Sequence, residues 1–326
     1  MYEGYEEERR LVPFLVSFFV TLLIMSGVLY WLVLFIGARG GTAPTAKDIA
    51  AHDTIYLPQR EERLTILLTL AENADTPPDV FLLAGFLPDK GMMTVCMLPP
   101  KTLITTDDRW GTLAELCEQG GTAYAAKALG GYLGIDIARS GSMDMTALKG
   151  LMEAVGFFEY ELTATLDYPL HRRQVAMSPG KRLLDGRAIM DILAYPAYKG
   201  GEAERSDRGA MLITQMLNFH LPACLTAQGE TLCKCFLNHC STDLSYKDCE
   251  ERKASAQFLA ALAMPAATAV YIEGALSYDY STFLLSESCR ARLHSVYSGD
   301  GFGVGGDGTR RDARLGAYEY VAEEKE

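Results

Sequence analysis

The feature that most constrains this chain is an uncharged apolar segment, LVPFLVSFFVTLLIMSGVLYWLVLFI, at residues 11–36. About 20 apolar residues are enough for a helix to cross a bilayer, and this segment is too long for the apolar core of a cleaved signal peptide. It therefore predicts an uncleaved transmembrane anchor. Arg9 and Arg10 precede it and few basic residues follow it, which favours a cytoplasmic N-terminus at 1–10. The sequence thus predicts a single-pass protein of the cell membrane whose main domain lies outside the cytoplasm.

The remaining chain divides into a connector, a domain and a tail. Residues 37–62 are a mixed polar connector, and residues 63–297 have the pattern of an α/β domain. The last segment, 298–326, is rich in glycine and acidic residues, which predicts disorder. The net charge of −12 argues against a nucleic-acid-binding protein, because such surfaces need clustered Lys and Arg.

Apolar periodicity predicts the secondary structure of the domain. Strands are expected at 64–70, 79–86, 92–98 and 158–168, with 79–98 forming a hairpin. Helices are expected at 112–121, 122–134, 142–156, 185–195 and 208–221, and a turn at 178–181. Because strands and helices interleave, the expected fold class is α/β, with a central mixed β-sheet flanked by helices.

A series of short segments occurs in a distinctive order. They are ILLTL (66–70), DVFLLAGF (79–86), LPPKT (98–102), LAELCEQGGTAYAAKALGGYLGI (113–135), SMDMTALKGLMEAVG (142–156), MSPGKRLLDGRAIMDILAY (177–195) and ERSDRGAMLITQML (204–217). In order and spacing they resemble the LytR-CpsA-Psr (LCP) family of cell-envelope glycopolymer transferases. The resemblance covers about 63–297 and indicates a divergent member.

The resemblance implies a substrate, a cofactor and partners. Such proteins transfer a phosphoglycan from an undecaprenyl-pyrophosphate carrier, a polyprenyl lipid, to peptidoglycan at the membrane. Arginines hold the pyrophosphate together with a Mg²⁺ ion that aspartates bind. The chemistry suits the groups, because guanidinium is a planar cation with paired donors and a metal ion offsets the charge of the diphosphate.

Carried over residue by residue, the resemblance assigns five candidate site residues. Asp79 matches one metal-binding aspartate, and Glu72 stands one position away from the other. In LPPKT, Lys101 stands where the family has an aspartate, and Pro100 stands where it has an arginine. Arg205 and Arg208 match the family's paired arginines and lie on one helical face. The arginines expected after LDG are missing from ILAYPAY.

Each candidate also has a purely structural alternative. Arg205 and Arg208 could form solvated ion pairs with neighbouring acids of ERSDR. Asp79 could cap a turn after two prolines, and Lys101 could be an exposed turn residue. Two basic residues near LDG could supply a missing cation instead: Lys181 and Arg187.

Cysteines are concentrated late in the chain. Cys96 and Cys117 fall in a predicted strand and a predicted helix and are expected to be buried; the others are Cys224, Cys233, Cys235, Cys240, Cys249 and Cys289. Outside the cytoplasm disulfides persist, so at least one is expected. A zinc site is an alternative, although the spacing lacks the usual CxxC pairs; its ligands would be Cys233, Cys235, His239 and Cys240.

Three functions remain open. The first is a membrane-anchored phosphoglycan transferase of the LCP type. The missing arginines favour a second, a catalytically impaired homologue that binds a polyprenyl lipid or acts as an envelope scaffold. The third is a membrane-tethered interaction module that binds a partner through its cysteine-rich part. An apolar tunnel beside Asp79, Lys101 and Arg205 would favour the first two.

Overall fold

The computed structural model describes residues 56–106, 110–171 and 173–298. The expected anchor at 11–36, the segments around it up to residue 55, and the tail from residue 299 lie outside the described residues. Within the described ranges, no helix combines the length and the apolarity needed to cross a bilayer. Tyr56, in the expected connector, contacts the domain, since its hydroxyl lies 2.8 Å from Ser255 Oγ.

Strands and helices alternate along the described chain. The strands are β1 (Leu64–Ala71), β2 (Val80–Leu87), β3 (Met92–Leu98), β4 (Leu103–Thr105), β5 (Trp110–Thr112), β6 (Arg139–Asp144), β7 (Phe158–Leu162), β8 (Leu166–Leu170), β9 (Arg173–Met177), β10 (Gly180–Leu184), β11 (Ser241–Thr242), β12 (Ala267–Ala269), β13 (Gly274–Leu276) and β14 (Phe283–Leu285). The helices are α1 (Leu113–Leu133), α2 (Met145–Val155), α3 (Gly186–Leu193), α4 (Gly201–His220), α5 (Gln228–His239), α6 (Tyr246–Glu251), α7 (Lys253–Ala260) and α8 (Glu287–Ser298).

A mixed six-stranded sheet in the order β11-β6-β1-β2-β3-β12 forms the centre of the domain. β1, β2 and β3 are antiparallel neighbours, whereas β6 and β12 run parallel to β1 and β3. One face packs against α1 and α8 and the other against α2, α3 and α4. This arrangement confirms the α/β class and the central mixed sheet.

The three central strands are mostly apolar because both of their faces are covered. In β2, Val80 and Leu82 belong to one hydrophobic core, while Phe81 and Leu83 belong to the other. Alternate side chains of a strand point to opposite faces, so a strand buried on both sides has no place for a charged side chain. β1 to β3 hold buried threonines, such as Thr94, but no charged residue.

Helix α1 contains the boundary that the sequence predicts between 112–121 and 122–134. Gly120 and Gly121 have non-helical backbone angles, and Gly121 has a φ of 74°. Glycine adopts this conformation without steric cost. The result is a kinked element rather than two separate helices.

The expected helix at 142–156 is wrong at its start, because Arg139–Asp144 forms β6 and the helix begins at Met145. Asp144 caps the helix by accepting a hydrogen bond from the Ala147 N–H at 2.8 Å. RSGSMD has few residues that favour strands. Its pairing depends on close packing, since a Cβ on Gly141 would lie 2.7 Å from Cys240 Sγ.

The expected strand at 158–168 is two strands with different partners. β7 pairs with β10, whereas β8 pairs with β9. The expected turn at 178–181 is partly wrong, because β10 begins at Gly180. The expected helix at 208–221 starts earlier, at Gly201. Alternation of apolar residues does not reveal where a chain changes its strand partner, so these limits depend on tertiary contacts.

A disulfide joins Cys233 and Cys249, which confirms the expectation of at least one. It also removes Cys233 from the alternative zinc set. His239 Nδ1 of that set lies 2.8 Å from the carbonyl oxygen of Cys235. Cys96 is buried as expected, and Cys117 is half-buried.

Gly186 of the LDG motif lies against the backbone of α2. A Cβ at this position would lie 2.5 Å from Lys149 N and 2.6 Å from the Leu148 carbonyl carbon. Backbone atoms do not move aside as a flexible side chain does. We therefore expect Gly186→Ala to lower the free energy of unfolding by about 2 kcal/mol, measured by urea denaturation.

Gly131→Ala in α1 is the matched control. Among the described residues its Cβ would meet only Thr106 Cγ2, at an ordinary 3.5 Å, and alanine favours a helix over glycine by about 1 kcal/mol. Equal unfolding midpoints for the two variants would refute the packing argument for Gly186.

Candidate functional site

Two acidic residues stand where β1 ends and β2 begins. Glu72 follows the last residue of β1, and Asp79 precedes the first residue of β2. Leu70 is the register partner of Val80, so both carboxylates lie at the same end of the sheet. The two residues of the expected metal pair are thus placed at a common edge.

The β8–β9 hairpin brings basic side chains to these acids. His171 Nε2 lies 3.1 Å from Asp79 Oδ2. Arg173 Nε and Nη2 donate to the Glu72 carboxylate at 3.4 and 3.5 Å, and Nη2 also donates to Asp191 of α3. With Arg205, these residues form what we call the ionic cluster: Glu72, Asp79, His171, Arg173, Asp191 and Arg205.

Arg205 is the buried member of the cluster, with 8% of its surface exposed. Its Nε donates to the Leu193 carbonyl at 2.9 Å and its Nη2 to the Asp79 carbonyl at 2.8 Å. Its Nη1 lies 3.4 Å from Glu202 Oε2. The guanidinium therefore ties α4 to the end of α3 and to the start of β2, and a structural role accompanies any role in ligand binding.

Arg208 lies one helical turn further along α4 and is more exposed. Its Nε donates to Glu204 Oε1 at 2.7 Å and its Nη1 to Thr163 Oγ1 at 3.3 Å, while the guanidinium lies 5.0 Å from the centre of the Tyr198 ring. Burial raises the pKa of Glu204, but the Gly200 N–H and Arg208 outweigh it and hold that pKa below its usual value. Arg208 thus pairs with an acid of ERSDR, as the structural alternative expects, whereas the buried Arg205 pairs with Glu202 outside that segment.

Lys101 lies at the same end of the sheet but faces another element. Leu98, the last residue of β3, pairs with Phe81 of β2. The exposed Lys101 amine donates to the Tyr280 carbonyl at 3.2 Å, so the structure does not bring it into contact with the ionic cluster. The alternative cations are also at the surface: Lys181 pairs with Glu159 there, and Arg187 is exposed.

Tyrosines occupy the region in which the resemblance expects arginines. The rings of Tyr168 and Tyr195 are 5.2 Å apart and those of Tyr195 and Tyr198 are 4.7 Å apart, both edge to face. Burial raises the pKa of Tyr198 to about 12, so its hydroxyl stays neutral at neutral pH. The Tyr168 hydroxyl donates to the Asp191 carbonyl. An aromatic wall therefore borders the cluster.

The resemblance did not identify His171, Arg173 or Asp191. For His171 and Arg173, the sequence signal that could have identified them is the basic run at 171–173, directly after an alternating strand. For Asp191 the sequence offers no such signal, because it is a single acid within an apolar helix. Only the folded hairpin shows that these side chains meet Glu72 and Asp79.

As arranged, these donors do not fit a Mg²⁺ site. Mg²⁺ requires oxygen ligands in near-octahedral geometry at about 2.0–2.1 Å, whereas Arg173 and His171 engage the Glu72 and Asp79 carboxylates. Among the described residues, no three His, Cys, Asp or Glu side chains gather as a metal-binding group. The cofactor stays a prediction that a binding measurement must test.

Two cavities of about 310 Å³ each lie elsewhere in the domain. The more apolar one lies at the opposite end of β1 and β2, and residues that line it include Leu64, Phe86, Leu232 and Leu244. Asp79, Lys101 and Arg205 line neither cavity. These cavities therefore do not supply the apolar tunnel that would favour lipid binding beside the cluster.

The burial of Arg205 and the exposure of Arg208 predict different effects on stability. Arg205→Met removes the Arg205 donors from the buried Leu193 carbonyl and the half-buried Asp79 carbonyl, so we expect a loss of about 3 kcal/mol in the free energy of unfolding. Arg208→Met removes a more exposed pair, so the expected loss is about 1 kcal/mol or less. Urea denaturation of the two variants measures the difference, and similar losses would contradict the structural role of Arg205.

Asp207 lies between these two arginines in the sequence, and its environment predicts that the stability of the domain depends on pH. Burial raises its pKa to about 6, although the Ile272 N–H and Arg292 oppose the rise; Glu273 and Glu204 also act on it. The native state therefore binds this proton more tightly than the unfolded chain. The free energy of unfolding should fall, by on the order of 2 kcal/mol for this group, as the pH rises from about 4 to about 6.

Asp207→Asn should remove this fall in a series of urea denaturations at different pH values. The Asn side-chain oxygen still accepts from the Ile272 N–H, which lies 2.9 Å from Asp207 Oδ1. Glu118→Gln, on an exposed part of α1, is the control and should leave the fall unchanged. An unchanged fall in Asp207→Asn would show that other groups cause it.

Comparisons by sequence identify no relatives of this chain. No protein-family model matches it, and no curated protein matches it significantly.

Comparison of structures identifies similar folds. B. subtilis TagV has a TM-score of 0.59 and 13% identity, over 74% of this chain and 98% of its own. TagT bound to LI-WTA has a TM-score of 0.56 and 12% identity, over 76% and 94%. A transcriptional regulator from Enterococcus faecalis has a TM-score of 0.59 and 18% identity, over 74% and 88%. TagV and TagT are LCP-family enzymes, so this domain has an LCP-like fold.

Proposed function

We propose that this protein is a membrane-anchored LCP-type protein of the cell envelope that transfers a phosphate-linked glycopolymer from a polyprenyl-pyrophosphate carrier to peptidoglycan. The apolar segment 11–36 holds it in the membrane with residues 1–10 in the cytoplasm. The domain then works outside the cytoplasm, where the lipid-linked donor and the acceptor meet. The ionic cluster, with Arg208 beside it, receives the diphosphate.

The observation that carries this proposal is that Glu72, Asp79 and Arg205 lie together at one end of the central sheet, in a domain with an LCP-like fold. The fold likeness extends over about three quarters of the chain, 74% for TagV and 76% for TagT. TagT is bound to LI-WTA in its structure, which supports a glycopolymer as the class of ligand. The LCP resemblance in the sequence points to the same residues independently of the fold comparison.

A second candidate, binding of the lipid-linked donor without transfer, is favoured by the charge balance of the site. Arg173 contacts Glu72 and Asp191, Arg205 contacts Glu202, and Arg208 contacts Glu204. Each of these guanidiniums therefore faces a carboxylate in the folded chain. A diphosphate must compete with those carboxylates for its counter-charge, which weakens the stabilisation that phosphoryl transfer needs.

A transfer assay distinguishes the two candidates. Full-length protein in detergent is mixed with an undecaprenyl-diphosphate-linked labelled glycan and soluble peptidoglycan strands, and both donor binding and labelled peptidoglycan are measured. The proposal predicts transfer that falls at least about tenfold in Asp79→Asn, because an electrostatic contact in the site is lost. Asp89→Asn, which alters one ion pair of Arg63 at another location, is the control and should retain transfer.

Donor binding without labelled product would favour the second candidate over the first. An absence of both binding and transfer, with folded protein, would reject both and leave the interaction module.

A further inference from the structure

The position of Arg173 bears on how this site balances its own negative charge. Glu72 directly follows β1 and Asp191 lies in α3, and their side chains are 15% and 9% exposed. Both carboxylates contact the same group and are poorly hydrated, so they repel each other unless a cation lies between them. In sites of this kind the cation is either a metal ion or a basic side chain.

Arg173 lies between them. Its Nε and Nη2 reach the two Glu72 oxygens at 3.4 and 3.5 Å, and Nη2 also donates to Asp191 Oδ1. The hydrogen bond to Asp191 raises the pKa of Arg173 further above its usual value, so the guanidinium stays charged. Its side chain is only 22% exposed, which makes it part of the site rather than a solvated surface residue.

We propose that Arg173 is a built-in cation that takes the place of a divalent metal between Glu72 and Asp191, so that this domain binds a diphosphate without Mg²⁺. This inference rests on the proposed function for the identity of the ligand. The exclusion of the metal rests on the donor set alone.

The geometry also leaves Arg173 able to contact a ligand. Nε and Nη2 face the carboxylates, whereas Nη1 donates to no residue among those that the structure describes. Arg205, in contrast, uses Nε, Nη1 and Nη2 within the protein. Arg173 can therefore hold Glu72 and Asp191 on one side and offer Nη1 to a phosphate oxygen on the other, as a planar guanidinium permits.

The contact between His171 and Asp79 agrees with this arrangement. His171 Nε2 lies 3.1 Å from Asp79 Oδ2, and His171 has a φ of 50°, which is uncommon for a residue with a side chain. The hairpin thus places a nitrogen donor on each of the two predicted metal ligands, Arg173 on Glu72 and His171 on Asp79. A metal ion would have to displace both contacts.

The metal arm of the test needs no donor substrate. Mn²⁺ replaces Mg²⁺ as the probe because electron paramagnetic resonance reports free Mn²⁺ directly. Wild-type protein should bind no stoichiometric Mn²⁺. Arg173→Met frees the Glu72 and Asp191 carboxylates, so its affinity for Mn²⁺ should be at least about tenfold higher than that of the wild type. Adding Glu72→Gln to this variant should abolish the increase in affinity.

Arg292→Met is the matched control, because it removes an arginine that pairs with Glu273 on another part of the surface. It should leave Mn²⁺ binding as in the wild type. Stoichiometric Mn²⁺ on the wild-type protein that is lost in Glu72→Gln would overturn the proposal. So would a folded Arg173→Met variant, verified by circular dichroism, that binds no more Mn²⁺ than the wild type.

The ligand arm compares the binding of farnesyl diphosphate to wild-type protein by isothermal calorimetry in EDTA and in MgCl₂. Equal affinity in both buffers supports the proposal even where Arg173→Met fails to fold, and affinity that requires MgCl₂ overturns it. If Mn²⁺ binding behaves as expected but glycan transfer fails, the proposed transferase function is rejected, whereas the role of Arg173 as a built-in cation is still supported.

Discussion

Burial of the central sheet on both faces is the constraint on which the rest of this structure depends. β1, β2 and β3 carry apolar side chains to two separate cores, and a strand covered on both sides cannot hold an unpaired charge without a large cost in free energy. Charged residues are therefore absent from these strands and stand beyond their ends. That is where Glu72, Asp79 and Lys101 stand, and the chemistry of the domain is located at this end for the same reason.

The ionic cluster shows how such an end is stabilised. Carboxylates that leave the sheet at β1 and β2 are met by a hairpin that carries His171 and Arg173 and by a helix that carries Arg205. The buried Arg205 donates to two backbone carbonyls, so it fixes the position of the elements that carry the acids. The same contacts that stabilise the fold thus set the charge that a ligand would meet.

Because the same side chains stabilise the fold and set the charge of the site, a likeness in fold does not by itself imply a likeness in activity. The fold agrees with LCP enzymes over about three quarters of the chain. The side chains at the sheet end differ. The segment ILAYPAY lacks the arginines that the family resemblance expects there, and a guanidinium contacts the acid expected to bind a metal. A fold tolerates such exchanges at its exposed ends more easily than phosphoryl-transfer chemistry does.

The sequence alone determined the elements that depend on local pattern. The apolar runs of β1 to β3, the glycine boundary within α1 and the α/β class follow from periodicity and from the conformational freedom of glycine. Asp79, Glu72 and Arg205 could also be selected as candidates from the order of the motifs. Tertiary structure alone decided what these residues contact. β6 owes its strand conformation to close packing at Gly141, β7 and β8 differ in their partners, and Arg173 meets Glu72 across 101 residues of chain. Such contacts join side chains that are distant along the chain, and no local pattern records which distant groups the folded backbone brings together.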